Sequence, residues 1–331
     1  MIKKERIGTY IKGSAIGGEF YQAYLPPPLP PAPPLNMEIL YPFLDQANIA
    51  LGRLDGLRLL LPDSGLFLYM YLRKEALLSS QIEGTQSSLA DLLLFESEQA
   101  PGVPLDDVTE VSCYVAAMNY GLERLKELPL SLRLIREIHA KLMDNVRGCH
   151  KSPGEFRTTQ NWIGGSRPGN ARFVPPPPER LMETLGAFEK FLHNDAIKLP
   201  ALVIAALAHG QFETIHPFLD GNGRLGRLLI TLILCQKGLM KEPLLYLSLY
   251  LKTNRQAYYD HLQSVRETGN WEGWIKFFLI GVAEVANQAT EAAQSILQLF
   301  KQDHEKIKQS EASGGGIFTV HHYLQQNHHK L

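Results

Sequence analysis

His216, Asp220, Arg224 and Arg227 fall within the twelve residues "HPFLDGNGRLGR", set between two apolar stretches, with Gly221, Asn222 and Gly223 among them. A histidine exchanges a proton near neutral pH and suits a general base. An aspartate offers oxygen ligands to a Mg²⁺ shared with phosphates. Pro217 disfavours helical geometry at His216, so one helix ends there, and the next begins near Asn222. The N–H groups at a helix start have no partners inside the helix, and the helix dipole favours anions at that end. Gly221 and Gly223 let phosphate oxygens approach the backbone. Arg224 and Arg227, three apart on the first turns, reach one polyphosphate from the same side. A turn requires none of the acid, the histidine or the arginines. The segment predicts a polyphosphate cradle with a proton acceptor beside it.

The elements that must hold this cradle read as helices from Met37 onward. "LFLYMYLRKEALLSSQIEG" (66–84) is apolar on several faces and predicts a buried helix stopped by Gly84. "GVPLDD" (102–107) reads as a linker, followed by helices over 108–125 and 130–143. "GEFRTTQNWIGGSRPGNARFVPPPP" (154–178) alternates and is rich in Gly and Pro, which predicts a hairpin or flap. Helices resume over 200–215, 223–238, 254–265 and 272–302. "LPPPLPPAPP" (25–34) must be extended, either as an arm across the protein's own surface or as a ligand for an aromatic groove; the arm is the favoured reading. The fold class is mainly α with one small β-hairpin.

Composition narrows the function. Apolar residues make up 45% and charged residues 20% of the 331, enough for a substantial core. Basic and acidic residues number 33 and 34, so general attraction to nucleic acid or anionic membrane is not indicated. Cys113, Cys149 and Cys235 form neither a disulfide framework nor a metal pair. The N-terminus has no signal-peptide core, and the greasiest run, 228–235, is too short to span a bilayer. These features predict a cytoplasmic protein.

The twelve-residue stretch resembles the Fic family signature, HxFx(D/E)GNGRxxR, and His216, Phe218, Asp220, Gly221, Asn222, Gly223, Arg224 and Arg227 fill every fixed position. The resemblance implies a Fic-type helical bundle and a protein adenylyltransferase that moves AMP from ATP to a hydroxyl on a target protein. It implies that His216 deprotonates that hydroxyl and that Asp220 binds Mg²⁺. The run Asp220, Gly221, Asn222, Gly223, Arg224, Leu225, Gly226 and Arg227 would bind the nucleotide, and Phe218 would be structural. The related Doc branch, which has lysine at the position of Gly223, runs a kinase-like reaction, so Gly223 favours nucleotidyl transfer.

"SSQIEG" (79–84) places Ser79 and Glu83 four apart on one helical face. It resembles the Fic inhibitory motif, (S/T)xxxE(G/N), which implies that Glu83 pairs with Arg227 and keeps the γ-phosphate from it. A two-point pair is expected, because the guanidinium fork fits a carboxylate as it fits a phosphate. In some relatives the same glutamate positions water and removes AMP, so Glu83 is read as inhibitor, hydrolytic residue or both.

The resemblance also implies that the flap at 159–165 docks a target segment, with Ile163, Gly164 and Gly165 as contacts, and that Tyr258 and Tyr259 lie near the base. On burial grounds alone an aromatic pair is core. The resulting organisation is an N-terminal region with arm and inhibitory helix (1–105), a catalytic core with its C-terminal helix (106–302), and a tail (303–331). The tail matches only the first helix of a winged helix-turn-helix, and DNA is not expected as a partner of this chain. Its His321, His322, His328 and His329 are read as a frayed histidine-rich end. Self-modification and a homodimer stay open. So do AMP removal, transfer of another nucleotide, and a nucleotide-sensing module without catalysis.

Overall fold

The computed structural model describes residues 4–14, 19–57, 64–99, 101–144, 146 and 148–309. The proposed tail beyond 309, with its four histidines, lies outside them. Eleven helices are present among the described residues: α1 (Met37–Leu57), α2 (Ser64–Glu83), α3 (Leu89–Glu96), α4 (Leu105–Arg124), α5 (Leu132–Leu142), α6 (Pro178–Leu192), α7 (Ala201–Ile215), α8 (Asn222–Gln236), α9 (Ser248–Thr253), α10 (Arg255–Thr268) and α11 (Trp271–Gln309). The fold is mainly α with a small antiparallel sheet. No described helix is long and apolar enough to cross a membrane.

At the centre, α7 and α8 pack side by side. Apolar residues surround α7 on all sides, and every residue from Leu202 to Ile215 is buried, as expected of a helix with no polar face. By contrast α5 is amphipathic and buries only Leu134, Ile135, Ile138, His139 and Leu142. Ser131 caps its start by accepting the Leu134 N–H, and Ser88 and Asp91 form a capping box on α3. The first helical turn of α4 begins at Leu105, inside the stretch that reads as a linker. The last helix runs seven residues past the expected end at Gln302 and lies along α1.

The sheet is not where the sequence predicts it. Its strands are β1 (Thr9–Ser14) and β2 (Phe20–Leu25), antiparallel, with Thr9 opposite Leu25 and Ser14 opposite Phe20. In the flap only Ile163 and Phe173 pair, as an isolated bridge. Pro168 and the prolines at 175–178 cannot donate to a ladder, and Gly164 and Gly165 take positive φ, so pairing stops after one step. The N-terminal hairpin supports the flap instead. Tyr24 donates its N–H to the Val174 carbonyl at 2.9 Å, and its ring lies 5.9 Å from that of Phe173.

From β2 the proline-rich segment crosses the protein's own surface. Gln211 of α7 donates to the Pro27 carbonyl at 2.9 Å, and Arg6 donates to the carbonyls of Pro33 and Pro34. Arg6 is itself buried and paired with Glu272 at the start of α11 (2.7 Å). Prolines leave carbonyls without matching N–H donors, so side chains must satisfy them.

Candidate functional site

Between α7 and α8 the chain turns through His216–Gly221. His216 ends α7 at φ 49°, and Gly221 precedes α8 at φ 75°. A Cβ at Gly221 would lie 2.7 Å from Met143 Sδ, so the turn needs glycine for both conformation and space. The buried side chain of Asn222 accepts the Phe218 N–H at 2.9 Å and donates to the Phe218 carbonyl at 2.8 Å. Both polar groups of the Asn222 amide are thus engaged in folding the loop. Its backbone N–H remains, with those of Gly223 and Arg224, ahead of the first intrahelical bond from Leu225 N–H to Gly221 O.

Arg157, in the flap, closes the same turn from outside. Its backbone N–H reaches the Pro217 carbonyl, and its guanidinium donates to the carbonyls of His216 (2.9 Å), Pro176 (2.6 Å) and, more weakly, Thr159 and Ile215. A cation thereby satisfies the last carbonyls of α7, where the dipole favours it. Burial lowers its pKa to about 10, and it stays charged. Asn161 adds bonds to the His216 and Phe218 carbonyls. On the other side His139 stacks on Phe218, with ring centres 3.7 Å apart. It accepts the Gly154 N–H at Nδ1, so Nε2 carries the proton donated to the Asp220 carbonyl at 3.0 Å.

The cavity above this turn encloses about 510 Å³. Its wall includes Glu83, Ile163, Gly164, His216, Asp220, Gly221, Asn222, Gly223, Arg224, Arg227, Tyr258 and Tyr259, so most of the predicted site residues converge. Leu225 and Gly226 do not. The helix period turns Leu225 into the core, fully buried, while Gly226 lies against Phe212 and Glu213 and its carbonyl accepts from His209 Nδ1. Gly165 also lies outside the wall. Tyr258 is 1% exposed and donates its hydroxyl to His209 Nε2 at 2.8 Å, which makes it largely core; Tyr259 is half-buried beside it.

His216 lines the cavity with a ring held neutral. Burial pushes its pKa down to about 4, and the nearby Arg266 and Arg157 add to that; the Glu213 carbonyl and the Glu83 charge oppose it less strongly. Its Nδ1 is buried without a partner of hydrogen-bond geometry among the described residues. The imidazole is a free base throughout the neutral range.

Arg227 is fully enclosed. It donates from Nε to Ser79 Oγ (2.8 Å), and from Nη2 to the Ser79 carbonyl (2.9 Å) and Glu83 Oε1 (2.7 Å). The two-point carboxylate pair expected from the sequence does not form, because Ser79 takes the donors on that side of the fork. Burial would raise the Glu83 carboxyl, but Arg227 outweighs it and holds the pKa below the usual range. A Cβ on Gly223 would lie 2.3 Å from Glu83 Oε1, so this glycine is where the carboxylate reaches the start of α8. Arg224 meets Glu110 at 3.2 Å and leaves its Nε buried without a hydrogen-bond partner among the described residues.

Asp220 is paired with Lys151 at 2.8 Å and accepts the Gly221 N–H. No group of three His, Cys, Asp or Glu side chains suited to a metal occurs among the described residues. One partly exposed carboxylate facing a phosphate cradle fits Mg²⁺, which takes one or two protein carboxylates and completes its shell with phosphate oxygens and water.

Sequence reasoning missed Trp162, Glu213 and Arg266 in the wall, and Arg157, His139 and Lys151 behind it. Glu213 carried a signal: one helical turn before His216, it shares that residue's face. Arg157, His139 and Lys151 act across 59 to 81 residues of chain, where local spacing says nothing.

Two family models match the chain, the Fic/DOC family N-terminal model over residues 41–123 and the Fic/DOC family model over 129–234. The chain is 27% identical over 250 residues to a protein adenylyltransferase Fic from Drosophila grimshawi, covering 74% of this chain and 48% of the relative. It is 34% identical over 201 residues to that of Aedes aegypti, covering 59% and 37%. It thus spans about half or less of the length of these curated relatives. Among solved structures, a Fic family protein from Desulfovibrio desulfuricans G20 has the same fold at TM-score 0.65 and 20% identity, covering 81% of this chain and 77% of that one. A Fic domain containing signaling protein from Bacteroides thetaiotaomicron VPI-5482 matches at TM-score 0.57 and 21% identity, covering 76% and 97%. With matches to both family models and a fold shared with other members, the chain belongs to the Fic family.

Proposed function

We propose that this protein is a self-inhibited, Mg²⁺-dependent protein adenylyltransferase, acting in the cytoplasm on a protein hydroxyl. The observation that carries the proposal is the Glu83–Arg227 contact across the start of α8, in the same cavity as a neutral His216. The curated relatives' name, protein adenylyltransferase, supports the chemistry.

The N–H groups of Asn222, Gly223 and Arg224 and the Arg227 guanidinium would take the phosphates, at the positive end of the helix dipole. Asp220 would hold Mg²⁺, released from Lys151, and the ion would neutralise charge on the leaving phosphates. His216 would accept the proton of the target hydroxyl as its oxygen bonds to the α-phosphorus. The bond from that phosphorus to the β-phosphate bridging oxygen breaks, and pyrophosphate leaves. Ile163 spends its N–H and carbonyl on Phe173, so strand alternation leaves the groups of Trp162 and Gly164 facing outward for an extended target segment.

In this reading Glu83 occupies the donor that a γ-phosphate needs, and the resting enzyme is blocked. Intact-mass measurement after incubating the Glu83→Gly protein with Mg²⁺ and ATP, UTP, GTP or CTP tests the assignment. An AMP adduct that requires His216 is expected. No adduct with any nucleotide, on the protein itself or on added lysate proteins, would overturn it.

A further inference from the structure

Two acids in the cavity wall have no part in this scheme, Glu110, which is paired with Arg224, and Glu213. Glu213 stands on α7 one turn before His216 and faces α8. Its Oε1 is buried and has no hydrogen-bond partner among the described residues. A Cβ added at Gly226 would lie 2.5 Å from that oxygen, so α8 has its glycine where this carboxyl lies, one residue before Arg227.

The charged and titratable groups around Glu213 are Arg227 from α8, Glu83 from α2, and Arg266 and Tyr258 from α10. The neighbouring α6 and α11 turn rings toward α7, Phe188 onto Phe212 and Trp274 onto His209. Burial pushes the Glu213 carboxyl up to about 7; Glu83 pushes the same way, while Arg227 and Arg266 pull it down. One enclosed guanidinium therefore has two carboxyls within its field, and of these only the outer one, Glu83, accepts a hydrogen bond from it.

We propose that Glu213 is an internal second counterion for Arg227: protonated while Glu83 holds the arginine, ionised when Glu83 leaves, and protonated again when a terminal phosphate arrives. The proposal rests on the inhibitory reading of Glu83. One proton passes from the carboxyl to solvent on release, and one returns on nucleotide entry. Glu213 is a positioning residue, which keeps the Arg227 charge matched between two states that each lend it an outside anion. Nucleotide affinity in the released protein rises as pH falls toward the midpoint of the free carboxyl, because binding then needs less proton uptake.

Calorimetry of ATP binding at saturating Mg²⁺ near pH 6.5, between the two midpoints, in two buffers of different ionisation enthalpy, counts the protons. The Glu83→Gly protein is expected to take up roughly half to one proton per nucleotide, and the Glu83→Gly, Glu213→Gln protein close to none. Equal uptake in both overturns the counterion role alone. Failure of Glu83→Gly to bind ATP more tightly than the unchanged protein overturns the inhibitory reading and this proposal with it. A second measurement needs no change at Glu213: ¹³C NMR titration of its carboxyl in the unchanged and Glu83→Gly proteins. Its midpoint is expected about one pH unit or more lower without Glu83, and equal midpoints overturn the proposal.

Discussion

Replacing Glu83 by glycine should make the empty protein less stable and its nucleotide binding tighter by the same amount, and both effects follow from one contact. Arg227 is 2% exposed and has three acceptors, of which only Glu83 is charged. Breaking a fully buried ion pair costs about 3–5 kcal/mol, because the remaining charge is left uncompensated. The Glu83 side chain is 36% exposed, so solvent screens the pair, and Ser79 still holds two donors; about 1–2 kcal/mol is a fairer figure. In the unchanged protein a γ-phosphate must displace that contact before it can use the same guanidinium. Removing Glu83 returns the energy to binding, which corresponds to about 5- to 30-fold tighter ATP at saturating Mg²⁺. Glycine as the last helical residue adds only a small propensity cost beside Gly84. Thermal unfolding without nucleotide, calorimetric ATP affinity and self-labelling would be read on the same preparation. Loss of stability with unchanged ATP affinity would refute the competition between Glu83 and phosphate, leaving the pair a purely structural contact.

In the Glu83→Gly background, His216→Ala should slow AMP transfer by about 10²- to 10⁴-fold while calorimetric ATP affinity stays within about 2-fold. Loss of affinity with the rate would mean that His216 only shapes the loop. Because the ring pKa is about 4, protonation silences it only in acid. At saturating nucleotide the transfer rate should therefore be flat through the neutral range and fall as pH drops toward that value; a fall already near neutral would contradict the neutral-base assignment. Gly223→Ala should evict Glu83, whose Oε1 lies 2.3 Å from the added Cβ, yet fail to raise labelling, because the same methyl crowds the phosphate approach. Labelling equal to that of Glu83→Gly would show that phosphate does not approach there. Arg157→Lys keeps the charge but loses the fork that serves several carbonyls, and should cost about 1–3 kcal/mol by urea unfolding; a loss below about 0.5 kcal/mol would refute its role as the cap of α7.

The helices and the turn between α7 and α8 were legible because their signals are local. Pro217 after His216 ends α7, apolar residues on every side bury it, and glycines mark the turn before α8. The Glu83–Arg227 contact became legible through resemblance, since 144 residues separate the two. The N-terminal sheet was not legible: "TYIKGS" and "FYQAYL" are short, and their nearest support is Val174 in the flap, not a neighbour in sequence.

The side-chain contacts that sequence does not reveal share one cause. A sequence states what each side chain can offer, but not which backbone groups the fold leaves without partners. Asn222 reads as a phosphate ligand, and the turn also leaves both polar groups of Phe218 needing partners, to which the Asn222 amide supplies a donor and an acceptor. Arg157 carries no local signal, yet α7 ends in the interior with carbonyls that its guanidinium, together with the Asn161 amide, satisfies. Arg227 falls between these cases. Its Nη2 goes partly to the Ser79 carbonyl, which is why the carboxylate meets it at one point and not two. A single-point contact at the open end of the fork is also what a phosphate can displace without dismantling the grip of Ser79, so the arrangement that weakens the inhibitory pair is the one that keeps Arg227 in place after release.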